Sequence, residues 1–170
     1  PLTQGLHGAG ILDHHFVEHS FVLLTLYLGL AWFSPGAGYG YGMLLGVVLG
    51  SATAFHNGLF VLQVPVLLAV GILWLRDRME IPGPSLALFS LALLVSTLLF
   101  LLPSEPFRLG HSSYYMHSWF HLYIAGCSSL IIAYTARWRF SWRSFGVLLL
   151  LMALMLVGIS QQIAGGMGFV

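Results

Sequence analysis

The stretch Pro84-Ser-Leu-Ala-Leu-Phe-Ser-Leu-Ala-Leu-Leu-Val-Ser-Thr-Leu-Leu-Phe-Leu-Leu102 decides the fold class. It carries no charge, and its only hydroxyl side chains are those of Ser85, Ser90, Ser96 and Thr97. A helix that spans a bilayer needs about 20 mainly apolar residues. The run is continuous and does not alternate between apolar and polar residues as a membrane β-strand does. The stretch therefore predicts a transmembrane helix.

The remainder of the chain repeats this pattern. Only 6% of the 170 residues are charged and the mean hydropathy is +0.91, whereas a soluble domain carries about 25% charged residues. We predict an all-α integral membrane protein, a single transmembrane helical domain over residues 1–170. Its bundle of about six transmembrane helices is expected at residues 16–34, 41–56, 58–76, 84–102, 113–135 and 145–163.

The arginines predict the orientation of this bundle. With helices that alternate in direction, the loops after the first, third and fifth segments share one side, and the opposite side holds only Arg108. The first side holds five arginines: Arg76, Arg78, Arg137, Arg139 and Arg143. The positive-inside rule assigns that side to the cytoplasm. We therefore expect both termini on the non-cytoplasmic side, which is the periplasmic side of a bacterial inner membrane.

The same assignment places every histidine on the outer side. The eight are His7, His14, His15, His19, His56, His111, His117 and His121. Residues four apart share one face of a helix, so His15 with His19 and His117 with His121 form two His-x-x-x-His pairs. Such pairs chelate zinc, copper or iron. We predict a transition-metal site at the outer face, with His14, His15, His19, His117 and His121 as its metal ligands.

Further polar residues complete the predicted site. His56, His111 and Gln161 are expected to bind the cofactor, and Glu18 is the expected catalytic residue. The order His15-Phe-Val-Glu18-His19 is similar to that of the inverted zinc peptidases, although so short a match identifies no family. In that mechanism two histidines hold zinc and Glu18 takes a proton from the bound water, which then attacks a carbonyl.

Two function classes remain open. The first is a metal-dependent enzyme, a hydrolase or an oxidase or oxygenase, that acts on an apolar or lipid-like substrate. The alternative is a subunit of a membrane redox or photosynthetic complex that binds haem b or a chlorin through single histidines. A proton-coupled transporter is disfavoured because the segments carry no charge in mid-membrane. Membrane lipid and other subunits are the expected partners, whereas a net charge of +1 without a basic run excludes nucleic acid.

Two features predict how the helices pack. Gly42, Gly46 and Gly50 recur at every fourth position, which gives a surface that another helix can approach closely. We expect segments one, two and five to close around this glycine stripe and segments three and four to act as scaffold. Pro65 is expected to kink the third segment.

Overall fold

The computed structural model describes residues 14–77 and 81–166, with side chains described for 16–77 and 81–160. All regular structure in these ranges is helical. The elements are α1 (His14–Trp32), α2 (Tyr39–Phe55), a 3₁₀ helix (Asn57–Leu62) that continues into α3 (Gln63–Leu75), α4 (Gly83–Leu101), the short α5 (Glu105–Arg108), α6 (Trp119–Arg137) and α7 (Trp142–Gly166).

Four of these helical segments are long and apolar enough to cross a membrane. They are Asn57–Leu75, Gly83–Leu101, Trp119–Arg137 and Trp142–Ser160. The other two apolar helices, Phe16–Trp32 and Tyr39–Phe55, are shorter. The described chain is thus an all-helical bundle with four helices that could span a membrane.

The fifth segment begins later than predicted. We expected a helix from residue 113, but α6 begins at Trp119 because Ser118 caps it, its hydroxyl accepting from Phe120 N–H at 3.3 Å. The Trp119 N–H donates to the His111 carbonyl at 3.1 Å and closes the preceding turn. His117 therefore precedes the helix, and the prediction that His117 and His121 share a helical face by their spacing is wrong.

Pro65 also acts differently from the prediction. It lies in the first turn of α3, after the 3₁₀ helix, and not within a helix that it kinks. A proline is tolerated in a first turn because the backbone N–H that it lacks has no intrahelical acceptor there. Pro65 is therefore part of the start of α3 and does not interrupt the helix.

The glycine stripe of α2 packs against α4. A Cβ atom at Gly42 would lie 2.7 Å from Trp32 Nε1, and one at Gly46 would collide with the Phe89 carbonyl oxygen. A Cβ at Gly50 would collide with the Ser96 hydroxyl. The close approach is as expected, and the first segment contributes Trp32 to it, but its main partner is the fourth segment, which we had taken as scaffold. Because glycine has no side chain, the backbone of α4 can lie directly against α2.

The core lies among α1, α2, α3, α4 and α6, with Val66 and Val70 contributed by α3. Trp32 is 2% exposed, its indole N–H donates to Ser85 Oγ at 2.8 Å, and its ring stacks on Phe89 with centroids 4.9 Å apart. Ala125 and Ile132 bring α6 into the same core. By contrast, α7 packs loosely, since only 6% of its span is buried.

The bundle has two chemically different ends. At the arginine end, which comprises the α1–α2, α3–α4 and α6–α7 loops, the Trp74 indole N–H donates to the Trp138 carbonyl at 2.5 Å. The histidine end comprises the start of α1, residues 53–62 and the segment from residue 102 to the start of α6. There the Asn57 side-chain amide donates to the Tyr115 carbonyl at 2.6 Å.

Candidate functional site

The end of α2 and the residue that follows it, His56, organise the histidine end. His56 leaves the helix with an extended backbone, φ −152° and ψ 128°. The change of direction exposes the last carbonyls of α2, which no longer have an intrahelical donor. Carbonyls in apolar surroundings need donors from elsewhere in the fold. A side chain from the segment before α6 meets this need at Thr53.

Glu18 of α1 reaches His56. Its Oε1 lies 3.1 Å from His56 Nδ1, with the two side chains 24% and 47% exposed. The structure thus brings together two residues that the sequence assigned to catalysis and cofactor binding. A carboxylate that accepts from one imidazole nitrogen fixes the orientation of the ring.

Two histidines of the fifth segment reach the same turn. His117 Nε2 lies 2.7 Å from the Thr53 carbonyl oxygen, and His121 Nε2 lies 3.1 Å from the Asn57 carbonyl oxygen. A carbonyl can only accept, so each Nε2 carries the proton and each Nδ1 of a neutral ring keeps its lone pair. The two ring centroids are 6.2 Å apart.

The Nδ1 atom of His121 stands out within this arrangement. His121 is 1% exposed, and its Nδ1 has no hydrogen-bond partner among the residues that the structure describes. Phe60 and Phe120 meet its ring edge-on, with centroids 5.9 and 5.5 Å away. A buried lone pair without a donor is costly unless a ligand or water meets it.

The side-chain oxygen of Asn57 is a second buried acceptor of this kind. Its Nδ2 donates to the Tyr115 carbonyl, which fixes the amide orientation because a flipped amide would place two oxygens together. The buried Oδ1 then has no hydrogen-bond partner within the described residues. His121 contacts the backbone of this same residue. Two buried acceptors on one contacting pair suit a cation or a hydrogen-bond donor.

The other predicted site residues are less well placed or not described. His111 is exposed in the turn before α6, and His19 is exposed on α1. His14 and His15 lie in the first turn of α1 and Gln161 lies in α7, but their side chains fall outside the described part, as does the whole of His7. Among the side chains that are described, no three from His, Cys, Asp and Glu converge closely enough to hold a metal ion.

Asn57 is the site residue that sequence reasoning missed. The sequence marks it as part of a turn, whereas the fold makes its amide and carbonyl the meeting point of residues 58 to 64 positions away. No local spacing signals such a contact. In a second polar contact, the Ser128 hydroxyl donates to Gln63 Oε1 at 2.6 Å. This contact lies deeper between α3 and α6, where both side chains are buried.

Comparison with protein-family models, with curated proteins and with solved structures found no match to this chain, so the histidine end has to be interpreted from its own geometry.

Proposed function

We propose that this chain is an integral membrane protein that binds a transition metal at its histidine end and acts as a metal-dependent enzyme on an apolar or lipid-like substrate. The observation that supports this proposal best is the buried, unpartnered Nδ1 of His121. Its ring is oriented by a backbone carbonyl through the opposite nitrogen. Metal-binding histidines are typically oriented in this way.

The proposed ligands are His121 and His117, each through Nδ1. Both rings are held from the Nε2 side by backbone carbonyls, that of Thr53 in the last turn of α2 and that of Asn57 just after it. The remaining ligands would come from the first two turns of α1, where His14, His15 and His19 precede or follow Glu18. Imidazole ligands suit zinc, copper and iron alike. Zinc would provide hydrolysis, and copper or iron would provide oxidation.

Glu18 is the proposed general base. It lies in α1 beside His56 and is partly exposed, so a water molecule can reach it. A metal bound here would supply Lewis-acid chemistry, and the Glu18 carboxylate would accept a proton beside it. A coordination position of the metal that no protein ligand occupies would admit a substrate from the membrane–water boundary.

We further propose six membrane spans, with both termini outside and the histidine end facing the periplasm of a bacterium. The 17 residues of α2 reach the lower limit of about 17 for a membrane span. Single cysteines at Pro35, Leu109 and Ala136 in a Cys127→Ser background would test this topology. An impermeant maleimide added to intact spheroplasts should label Leu109→Cys alone, and labelling of all three or of Ala136→Cys alone would contradict it.

The metal is tested by an absorption spectrum and elemental analysis of the same purified sample. We expect about one equivalent of zinc, copper or iron in the unaltered protein and loss of that metal in His121→Gln. Ser128→Ala provides the matched control, because it alters another buried polar group of α6 that lies away from the histidine end. The control should keep its metal.

Two outcomes would overturn this function. Equal metal content in His121→Gln and in the unaltered protein would remove His121 from the site. A strong Soret or chlorin band would instead assign a tetrapyrrole and the redox or photosynthetic class of subunit. An intact monodisperse bundle in each variant, checked by size exclusion and circular dichroism, is required for either conclusion.

A further inference from the structure

A cavity at the arginine end carries a different chemistry from the histidine end. It has a volume of about 450 Å³ and lies among the ends of α3, α4 and α6. Its charged lining consists of Arg137, Arg139 and Asp77, and its deepest side chains are Trp74 and Leu86, both 2% exposed. Two guanidinium groups and one carboxylate give the lining a formal net charge of +1.

Neither arginine has an anionic partner among the described residues. Arg137 lies over the Trp138 ring, 5.1 Å from its centroid, and Arg139 forms no ion pair in this part of the chain. Asp77 likewise forms none there, although it lines the same cavity. Within the described residues, neither guanidinium group is engaged by a carboxylate, and their planar array of donors is well suited to a phosphate.

A second cavity adjoins the first. It has a volume of about 360 Å³, shares Ile81 with its neighbour and is lined mainly by apolar groups that include Trp32, Phe33 and Leu73. The chain therefore places a basic cavity next to an apolar one at one end of the bundle. A phospholipid has the matching arrangement, since its charged headgroup is joined to apolar acyl chains.

We propose that the two cavities bind one phospholipid, with its phosphate on Arg137 and Arg139 and part of an acyl chain in the cavity beside Trp32. Basic pockets between transmembrane helices are common sites for lipid headgroups. Asp77 would accept a hydrogen bond from an ammonium or hydroxyl group of the headgroup. Phosphatidylethanolamine and phosphatidylglycerol supply such a donor, and phosphatidylcholine does not. This inference is independent of any metal at the histidine end.

Native mass spectrometry of the detergent-purified protein tests the proposal, with phosphatidylethanolamine, phosphatidylcholine and inorganic phosphate as separate probes. Phosphatidylethanolamine should bind at a ratio of one to one. The double variant Arg137→Gln/Arg139→Gln should raise its Kd about 30-fold, at about 1 kcal/mol per arginine. Arg143→Gln is the matched control, because Arg143 lies at the same end without lining either cavity, and it should bind as the unaltered protein does.

Several results would overturn the lipid site. An unchanged Kd in the double variant would exclude the arginines, and an equal loss in Arg143→Gln would reduce the effect to general charge attraction. Displacement of all lipid by inorganic phosphate would assign the cavity to a soluble phosphate compound. If the double variant does not fold, Arg139→Gln alone must weaken lipid binding. Asp77→Asn, which removes the charge and keeps only a neutral amide acceptor, should reduce the preference for phosphatidylethanolamine over phosphatidylcholine, and a preference retained in full would contradict the role of Asp77.

Discussion

Gly46→Ala is the substitution that tests the packing of α2 on α4 most directly. The added methyl group would collide with the Phe89 carbonyl oxygen and would lie 3.0 Å from both Ala92 Cβ and Leu93 N. Two of these three neighbours are backbone atoms, which cannot rotate away. The two helices must therefore move apart along their contact, and the buried side chains between them lose part of their dispersion contacts.

The magnitude follows from comparison with Gly71→Ala. Both positions lie within helices, and replacement of glycine by alanine in a helix gains about 0.5–1 kcal/mol of intrinsic stability at either one. A Cβ at Gly71 would meet nothing within 4 Å, so Gly71→Ala gains this intrinsic stability without any steric cost. Overpacking of a close contact costs about 1–3 kcal/mol. We expect the free energy of unfolding of Gly46→Ala to lie below that of Gly71→Ala by this amount.

The assay is unfolding of the purified protein in mixed micelles of dodecyl maltoside and increasing SDS, followed by tryptophan fluorescence. Of the five tryptophans, Trp32 and Trp74 are buried and should change their emission most on unfolding; the Trp32 indole lies at the contact of α1 with α4 and donates to Ser85. Gly46→Ala should unfold at a lower SDS fraction than Gly71→Ala. Equal midpoints, or a higher midpoint for Gly46→Ala, would refute the close approach of the two helices.

Three further variants test single hydrogen bonds, the first two by the same SDS titration and the third by limited proteolysis. Ser128→Ala should lower the free energy of unfolding by about 0.6–2 kcal/mol, because Gln63 loses its donor in a buried place; an unchanged midpoint would contradict that bond. Trp74→Phe should cost at least about 1 kcal/mol, because it loses the bond to the Trp138 carbonyl and leaves a gap at a buried side chain, and a neutral result would exclude this contact as a link between α3 and the end of α6. Tyr123→Phe should speed proteolysis of α7, since its hydroxyl donates to the Met155 carbonyl at 3.1 Å. Tyr27→Phe, at a side chain 63% exposed, is the control for all three and should be neutral.

Hydropathy predicted the helices of this chain well because the bilayer imposes a length and a composition on every span. The predicted fourth segment, 84–102, differs from α4 by one residue at each end. The start of α6 was missed by six residues, since Tyr114, Tyr115 and Met116 extend the apolar pattern beyond the Ser118 cap. Hydropathy alone cannot locate a helix cap.

The contacts between helices were harder to predict than the helices themselves. The spacing of Gly42, Gly46 and Gly50 indicates that some helix comes close, but only the fold identifies α4 as that helix. At the histidine end the sequence indicated which residue types gather there, and the Glu18–His56 contact agrees with it. The hydrogen bonds from His117 and His121 to backbone carbonyls were not predictable. Every residue has a backbone carbonyl, so the sequence does not indicate which one will accept. A metal at this end stays a prediction.

The loose packing of α7 has a consequence for cooperativity. Only 6% of the Trp142–Ser160 span is buried, compared with 39% of Trp119–Arg137, and many of its large apolar side chains face outward. Segments with few buried contacts open at lower free energy than the core they adjoin. We therefore expect the amide protons of α7 to exchange ahead of those of α2 and α4. The free energy of unfolding measured at the buried tryptophans then reports on the core of α1, α2, α3, α4 and α6, and local opening of α7 contributes little to it.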